Sequence, residues 1–347
     1  MKRRKFLSTV VVGAIASPVF GTLEQQGVVS LPVSMVQTLT GPVPPEKLGL
    51  TLIHEHLLYG VIPAELNSRS LEIVVANLRD AARVGIDTIT CLSPERDIKL
   101  YSQLAEQSPV RLIASTGSYV YAHCSPALQS MNEEQMVARM VRDINSGIDG
   151  SKLRAGIIKV AGNKSPLTDW EKMSFRAAGR AQKETGVPVG THAIYAPRDQ
   201  FDILVSAGAD PHKCFFSHIE AEFGWQGRNL QQQTDYLVDL AKDGGSLLFN
   251  NFGLTLDTPW PDLVFILRSL FDRGLANRIL ISVDSAWEWK NGKPVIQHSE
   301  KYPGAMDRTY SYMMTDVVPA LLKAGFSDHD IKTFLVDNPR RMFGGKT

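Results

Sequence analysis

The sequence is poor in cysteine and has almost no excess of one charge, and each shortage excludes a class of protein. Its 347 residues include three cysteines, Cys91, Cys124 and Cys214, and no Cys-x-x-Cys pair. Three dispersed cysteines form neither a disulfide framework nor a thiolate metal site. Basic side chains number 37 against 36 acidic ones, and no long run of lysine and arginine occurs. The chain therefore lacks the positive surface by which proteins bind nucleic acid.

A long apolar run is missing as well. Basic residues 2–5 are followed by about a dozen mostly apolar residues, which include Ala14-Ile15-Ala16. A membrane span needs ~20 apolar residues, so we expect a signal peptide over residues 1–21 and no membrane span. The pair Arg3-Arg4 followed by Phe6-Leu7 resembles a twin-arginine signal. It predicts a periplasmic or secreted protein that is carried by the twin-arginine export machinery.

Residues 22–347 show no break in composition, which predicts one domain. Eight short apolar runs recur there, separated by segments with helical spacing. Continuous apolar strands that alternate with helices indicate a parallel sheet buried on both faces. No glycine-rich dinucleotide fingerprint follows the first run, so we predict an α/β fold consisting of a single (β/α)8 TIM barrel. The predicted strands are Leu48–His54, Thr88–Leu92, Val110–Thr116, Gly156–Val160, Pro188–Thr191, Cys214–His218, Ser246–Phe249 and Ile279–Val283. The predicted helices are Leu71–Val84, Glu133–Gly147, Glu171–Thr185, Arg198–Ala207, Asn229–Lys242, Leu263–Arg273 and a closing helix that starts at Asp328 and ends at Gly344-Gly345.

Polar side chains stand at or near the ends of five predicted strands, where a barrel enzyme carries its chemistry. Four of the eight histidines are among them. Each residue alone has a structural explanation, as a hydrogen-bonded histidine, a helix-capping aspartate or a lysine that reaches solvent. Together they supply the nitrogen and oxygen ligands of a metal site at the C-terminal face. The six residues are His54, His56, Lys159, His192, His218 and Asp284.

Four segments carry a resemblance to a known family: Gly49–His56 with its His-x-His motif, Ser115–Tyr121, Gly156–Lys159 and Asn338–Phe343. They resemble the phosphotriesterase-like family of the amidohydrolase superfamily, which includes phosphotriesterases and lactonases. The resemblance implies a binuclear metal centre in which Lys159, carboxylated by CO2, bridges two divalent ions. It also implies that His54, His56 and Asp284 bind one ion, and that His192 and His218 bind the other. Similar barrels are commonly dimers, so a homodimer is a further expectation.

The implied centre predicts hydrolysis. Nitrogen and oxygen ligands without thiolate suit Zn²⁺, with Mn²⁺, Co²⁺ or Fe²⁺ as alternatives. Metal coordination lowers the pKa of bound water to about 7, so a bridging hydroxide is expected to attack an ester, lactone or phosphotriester. Asp284 is the expected catalytic residue, as acceptor of the proton. The alternatives are an amidohydrolase that acts on a cyclic amide and a catalytically inactive metal-binding barrel.

Four residues are predicted to border the pocket for a small-molecule substrate. Tyr119 and Tyr121 match tyrosines that lactonases of the family carry beside the metals. Asn251 follows the seventh strand, where those lactonases have an arginine. Trp287 follows the eighth strand, where it either walls an apolar pocket or packs the top of the barrel.

Overall fold

Parallel strands in chain order form the barrel at the centre of the described structure. The computed structural model describes residues 35–57, 68–94, 97–221, 225–254, 258–290, 293–296 and 308–344. These residues all belong to one compact unit, residues 33–347. The predicted signal peptide over residues 1–21 lies outside the described residues. No helix among the described residues is long and apolar enough to cross a membrane.

The predicted (β/α)8 barrel is confirmed, since eight described strands form one sheet in sequential order. They are β3 (Thr51–Glu55), β4 (Thr88–Cys91), β5 (Arg111–Gly117), β6 (Ala155–Ala161), β7 (Val189–His192), β8 (Cys214–Ser217), β9 (Ser246–Phe249) and β10 (Ile279–Ile281). Each of the eight predicted apolar runs overlaps one of these strands, and β3, β5, β6 and β7 extend one residue beyond the predicted run at one end or at both. Two short antiparallel hairpins that we did not predict precede and follow the barrel strands, β1 (Val36–Thr38) with β2 (Gly41–Val43) and β11 (Trp287–Lys290) with β12 (Lys293–Ile296).

Helices alternate with the barrel strands and cover them. They are α1 (Ser68–Arg83), α2 (Ile98–Gln107), α3 (Pro126–Gln129), α4 (Glu133–Asn145), α5 (Asp169–Thr185), α6 (Pro197–Ser206), α7 (Leu230–Lys242), α8 (Trp260–Asp272), α9 (Val318–Lys323), α10 (Asp328–Lys332) and α11 (Asn338–Gly344). The segments Met313–Val317 and Thr333–Asp337 are π-helical and lead into α9 and α11. The closing helix is thus one helical segment interrupted by a π turn. The unpredicted α2 fills the connection after β4.

Local sequence signals fix where several helices begin. The Thr168 hydroxyl accepts a hydrogen bond from the backbone N–H of Glu171, and the Glu171 carboxylate accepts one from the Thr168 N–H, so α5 starts with a capping box. Asn132 before α4 and Asn229 before α7 do the same. Such caps satisfy backbone N–H groups that a helix end leaves without partners.

The strands bury apolar side chains on both faces, as the continuous apolar runs predict. On β6, Ile157 belongs to a cluster inside the barrel, whereas its neighbour Ile158 belongs to the larger cluster between strands and helices. The interior cluster also includes Val36 of β1 and Met342 and Phe343 of α11. The hairpin and the last helix therefore close the N-terminal end of the barrel.

Candidate active site

Six polar side chains meet at the C-terminal end of the barrel. β3 carries His54 and is followed by His56, β6 carries Lys159, and β7 ends in His192. His218 follows β8, and Asp284 follows β10. These are the residues for which the sequence predicted a common site. Since five different strands supply them, closure of the barrel is what brings them together.

His54, His56 and Asp284 form the tightest group. Nε2 of His54 lies 3.4 Å from Oδ1 of Asp284, and Nε2 of His56 lies 3.2 Å from the same oxygen. One ligand atom from each side chain lies within 4.8 Å of the other two. Nζ of Lys159 lies 3.4 Å from Nε2 of His54. Ligand atoms ~2.1 Å from a shared tetrahedral ion stand about 3.4 Å from one another, so this spacing is compatible with a shared metal ion.

His192 and His218 form a second group beside the first. Their ring centroids are 4.6 Å apart, and the His218 centroid lies 5.1 Å from that of His54. Nδ1 of His218 is 3.9 Å from Oδ2 of Asp284. Asp284 therefore lies between the groups, with one carboxylate oxygen toward each.

His218 and Asp284 both adopt left-handed backbone conformations, with φ of 60° and 55°. Such values cost a non-glycine residue of order 1 kcal/mol or more and persist where the surroundings hold them. The N–H of His218 donates to Oδ1 of Asn250 at 3.1 Å. The N–H of Asp284 donates to the carbonyl oxygen of His54 at 3.2 Å. The two strand ends are turned inward at a conformational cost that hydrogen bonds offset.

Burial sets the protonation of the cluster. It lowers the pKa of His54 and His192 well below the ordinary value, and the neighbouring Lys159 and His218 lower them further. Burial lowers the pKa of His218 to about 4 and that of Lys159 to about 7. For Asp284, burial opposes the charged form, but the imidazoles, His218 foremost, outweigh it and hold the pKa well below the ordinary range. Neutral imidazoles and a carboxylate at pH 7 are good electron-pair donors.

The donor set fits divalent cations. Oδ1 of Asp284 is buried and accepts no hydrogen bond from any described residue, although imidazole nitrogens face it. Nδ1 of His56 contacts Oγ of Ser93 at 2.7 Å, which leaves Nε2 for the site. Nδ1 of His218 similarly lies 3.3 Å from Oδ1 of Asn251. Outer contacts of this kind orient metal-binding histidines in proteins.

Glu55, the middle residue of the His-x-His motif, joins the first and last strands of the barrel. Oε1 accepts hydrogen bonds from Oγ of Ser282 at 2.7 Å and the N–H of Val283 at 2.9 Å, and Oε2 accepts from the N–H of Ser285 at 2.6 Å. Burial raises the pKa of Glu55 to about 8, although these hydrogen bonds oppose it. The carboxyl group thus spans both sides of Asp284.

The four predicted pocket residues differ in how close they lie to the cluster. The Tyr119 ring centroid is 5.3 Å from that of His192, and Asn251 contacts His218 as above. Tyr121 is 49% exposed and lies against Trp170, at 5.4 Å between centroids. Trp287 is buried at the start of β11. Tyr119 and Asn251 are therefore the two that contact predicted ligands.

Several buried residues around the cluster were not among the predicted site residues. Glu55 stands within the motif and Glu220 two residues after His218, so a charged residue at the end of an apolar run was a signal that we did not use. Ser93 and Arg308 carry no such signal, because Ser93 is uncharged and Arg308 lies outside every predicted strand. Yet Arg308 is 2% exposed and Glu220 is 1% exposed.

The chain is similar to known proteins over nearly all of the described residues. The sequence model of the phosphotriesterase family matches residues 34–343. The chain is 30% identical over 330 residues to the phosphotriesterase homology protein of Mycobacterium tuberculosis, covering 89% of this chain and 97% of that protein. It is 30% identical over 358 residues to the N-acetyltaurine hydrolase of Xenopus tropicalis, covering 88% and 97%.

Solved structures show the same similarity. A mutant of the organophosphorus hydrolase from Deinococcus radiodurans superposes with a TM-score of 0.78 at 27% identity, covering 89% of this chain and 97% of that one. The phosphotriesterase from Mycobacterium tuberculosis superposes with a TM-score of 0.76 at 28% identity, covering 90% and 100%.

Proposed function

This chain belongs to the phosphotriesterase family, and from that premise we propose that it is a binuclear metal-dependent hydrolase. His54, His56 and Asp284 would hold one divalent ion, and His192 and His218 the other. Lys159, carboxylated by CO2, would bridge them. The observation that carries the proposal is the meeting of these six donors at the C-terminal end of the barrel, with contacts of 3.2 to 3.4 Å inside the tightest group. Zn²⁺ suits the donors, with Mn²⁺, Co²⁺ or Fe²⁺ as alternatives.

In the proposed hydrolysis, the metal ions and Asp284 have different tasks. When bound, two divalent ions would polarise the carbonyl or phosphoryl oxygen of the substrate and supply hydroxide at neutral pH. Asp284 would accept the proton and deliver it to the leaving group, because its side chain keeps 18% of its surface exposed while contacting both histidine groups. The other ligands are more deeply buried, so Asp284 is placed best to reach substrate and solvent.

The environment of Lys159 supports its carboxylation. CO2 adds to a neutral amine, and burial lowers the pKa of Lys159 to about 7. The ammonium form would place a cation among ligands for cations, whereas the carbamate adds a negative charge there. The modification would thus convert an unfavourable neighbour into a ligand.

The proposed substrates are an ester, a lactone or a phosphotriester. A specific observation also favours an amide, because relatives that match 88% of this chain are N-acetyltaurine hydrolases. A cyclic amide is a related alternative. Asn251 beside His218 is a candidate for the residue that separates these substrates, since it lies in the rim and touches a proposed ligand.

A substrate panel with and without metal tests the function. Purified protein is assayed with a chromogenic ester, a lactone, a phosphotriester, an N-acyl aminosulfonate and a cyclic amide, before and after chelation and after return of each divalent ion. We expect turnover of at least one class, its loss on chelation and its recovery with metal. His54→Asn should abolish turnover, while the same change at His329, which is exposed on α10, should not. Turnover that survives complete metal removal would contradict the proposal. A metal-loaded protein that is inactive on the whole panel would favour an inactive metal-binding barrel.

We also propose export to the periplasm or beyond the cell through the twin-arginine route. The basis is the Arg3-Arg4 pair before a short apolar run. A reporter fused to residues 1–30 should be exported, and changing both arginines to lysine should stop it. Export that continues in the double variant would indicate the general secretory route instead.

A further inference from the structure

Two strand ends beside the candidate active site are held by one buried guanidinium. Nη2 of Arg308 donates hydrogen bonds to the carbonyl oxygen of Asn250, at 3.0 Å, and to the carbonyl oxygen of Val283. Asn250 follows β9, and Val283 follows β10. These carbonyls belong to the residues immediately before Asn251 and Asp284. Arg308 therefore binds the carbonyl oxygens of the two peptide groups that lead into Asn251 and Asp284.

Two buried carboxyl groups hold the N–H groups of the same segments. Oε1 of Glu220 accepts from the N–H of Asn250 and the N–H of Asn251, both at 2.6 Å. Glu55 accepts from the N–H groups of Val283 and Ser285. Each strand end thus has a carboxyl group on its N–H side and shares the Arg308 guanidinium on its carbonyl side.

This pattern restrains rotation of individual peptide groups. In the peptide group between Asn250 and Asn251, the carbonyl is bound by Arg308 and the N–H by Glu220. In the peptide group between Val283 and Asp284, the carbonyl is bound by Arg308 and the N–H by the His54 carbonyl. A peptide group held at both ends cannot turn without breaking two buried hydrogen bonds. That restraint explains how Asp284 keeps its left-handed conformation.

The burial of these groups points to a purpose beyond stability. Arg308, Glu55 and Glu220 are each at most 2% exposed, and placing polar or charged groups in the interior is unfavourable unless their hydrogen bonds are satisfied. Apolar residues of similar volume often stabilise a fold as well as a buried ionic set does. What apolar residues do not provide is directional hydrogen bonding to chosen peptide groups.

We propose that Glu55, Arg308 and Glu220, together called the buried brace, are positioning residues that fix the directions in which Asp284 and Asn251 leave their strands. The inference rests on the proposed function, in which Asp284 handles metal and proton. Asn251 extends the effect to His218, since its Oδ1 lies 3.3 Å from Nδ1 of that ring. The brace itself contacts neither substrate nor the reacting atoms.

Substitution of the guanidinium tests the brace against a matched control. Arg308→Met removes the donors to both carbonyls, and Arg308→Lys retains the charge and one donor group. Arg268→Met makes the same chemical change on α8, where Arg268 donates to the Ala324 carbonyl at 3.3 Å and stacks on Phe326. The readouts are kcat and KM on the best panel substrate, the visible spectrum of the Co²⁺-loaded enzyme, and amide hydrogen exchange.

We expect Arg308→Met to lower kcat at least tenfold with KM within twofold of wild type. Amide exchange should accelerate at least tenfold in residues 247–254 and 281–286, and the Co²⁺ spectrum should change. Arg308→Lys should recover part of each loss, and Arg268→Met should change none of them. If Arg308→Met merely lowers the thermal midpoint, with wild-type kcat and wild-type exchange in both segments, the brace is structural only and the proposal is wrong.

Glu55→Gln provides the second variant, should Arg308→Met fail to fold. It is nearly isosteric, but its amide must present an NH2 group to one of the donors that Glu55 now accepts from. We expect a lower kcat at similar KM, with faster exchange in residues 281–286 and unchanged exchange in 247–254. If Glu55→Gln changes the exchange rate by the same factor in both segments, the proposal is wrong. Amide exchange requires neither turnover nor metal, so an inactive panel would reject the proposed function while leaving this measurement of the brace intact.

Discussion

The same strands form two layers inside the barrel, a polar layer at the C-terminal end and an apolar layer below it. Burial affects the stability of the fold in opposite directions in the two layers. On β6, Ile157 and Lys159 are two residues apart, lie on the same face, and are at most 1% exposed. Ile157 joins the interior apolar cluster, which continues to Met342 and Phe343 at the N-terminal end. Lys159 joins the imidazoles and Asp284 at the C-terminal end. One step of the strand pleat thus separates a layer that stabilises the fold from one that costs stability.

The apolar layer stabilises the barrel and so supports the polar layer above it. Burying Ile157 contributes favourable transfer free energy with no partner requirement. Burying Lys159, Glu55 or Arg308 is unfavourable unless hydrogen bonds or charges compensate. We therefore expect changes at the polar end to act mainly on metal binding and turnover, and changes at the apolar end to act on the free energy of unfolding.

The largest effect is expected at Lys159. Lys159→Ala should lose bound metal and reduce kcat more than about a thousandfold, because the bridging ligand disappears. Acetate or propionate should restore part of the activity by occupying the vacated space. Lys159→Arg is the control that should not respond, since its guanidinium stays charged and fills that space. Metal content by elemental analysis and kcat with and without added acid are the measurements. Two retained metals with near-normal turnover in Lys159→Ala would show that the bridge is wrongly assigned.

A smaller and more selective effect is expected at Asp284. Asp284→Asn should retain more metal than Lys159→Ala, because an amide oxygen still binds a cation, but kcat should fall about 10² to 10⁴-fold because the amide cannot accept a proton. Measurement of metal content beside kcat separates the two roles. Loss of metal in parallel with activity would indicate that Asp284 serves binding alone.

The smallest effect is expected one layer below, at Ile157. Ile157→Val removes one buried methylene and should reduce the free energy of unfolding by about 1 kcal/mol. The kinetic constants should stay at wild-type values, since the β-branched shape of the side chain is kept. Urea unfolding followed by circular dichroism, with kcat and KM on the same preparation, tests this. A drop in kcat larger than tenfold would show that the two layers are coupled.

Much of this architecture was open to prediction from sequence. The barrel strands are continuous apolar runs of the right length, and this pattern depends on residues that are neighbours in the chain. The six proposed ligands were found in the same way, because each ends, closely follows or interrupts such a run. The hairpins β1–β2 and β11–β12 were missed, since strands of three or four residues are too short to establish an alternating pattern. The helix α2 was missed between two predicted strands.

The barrel and the residues at its C-terminal rim can be predicted from local sequence, because strand periodicity and the motifs of β3 and β6 involve neighbouring residues. The way in which the rim is held depends on contacts between distant parts of the chain. Arg308 is 58 residues from Asn250 and 25 from Val283 in the chain, and Glu55 is 230 residues from Ser285. Nothing local distinguishes a buried arginine from an exposed one. The need to satisfy a buried guanidinium arises only once the fold has enclosed it, so its partners are set by the closed barrel and not by the chain around it.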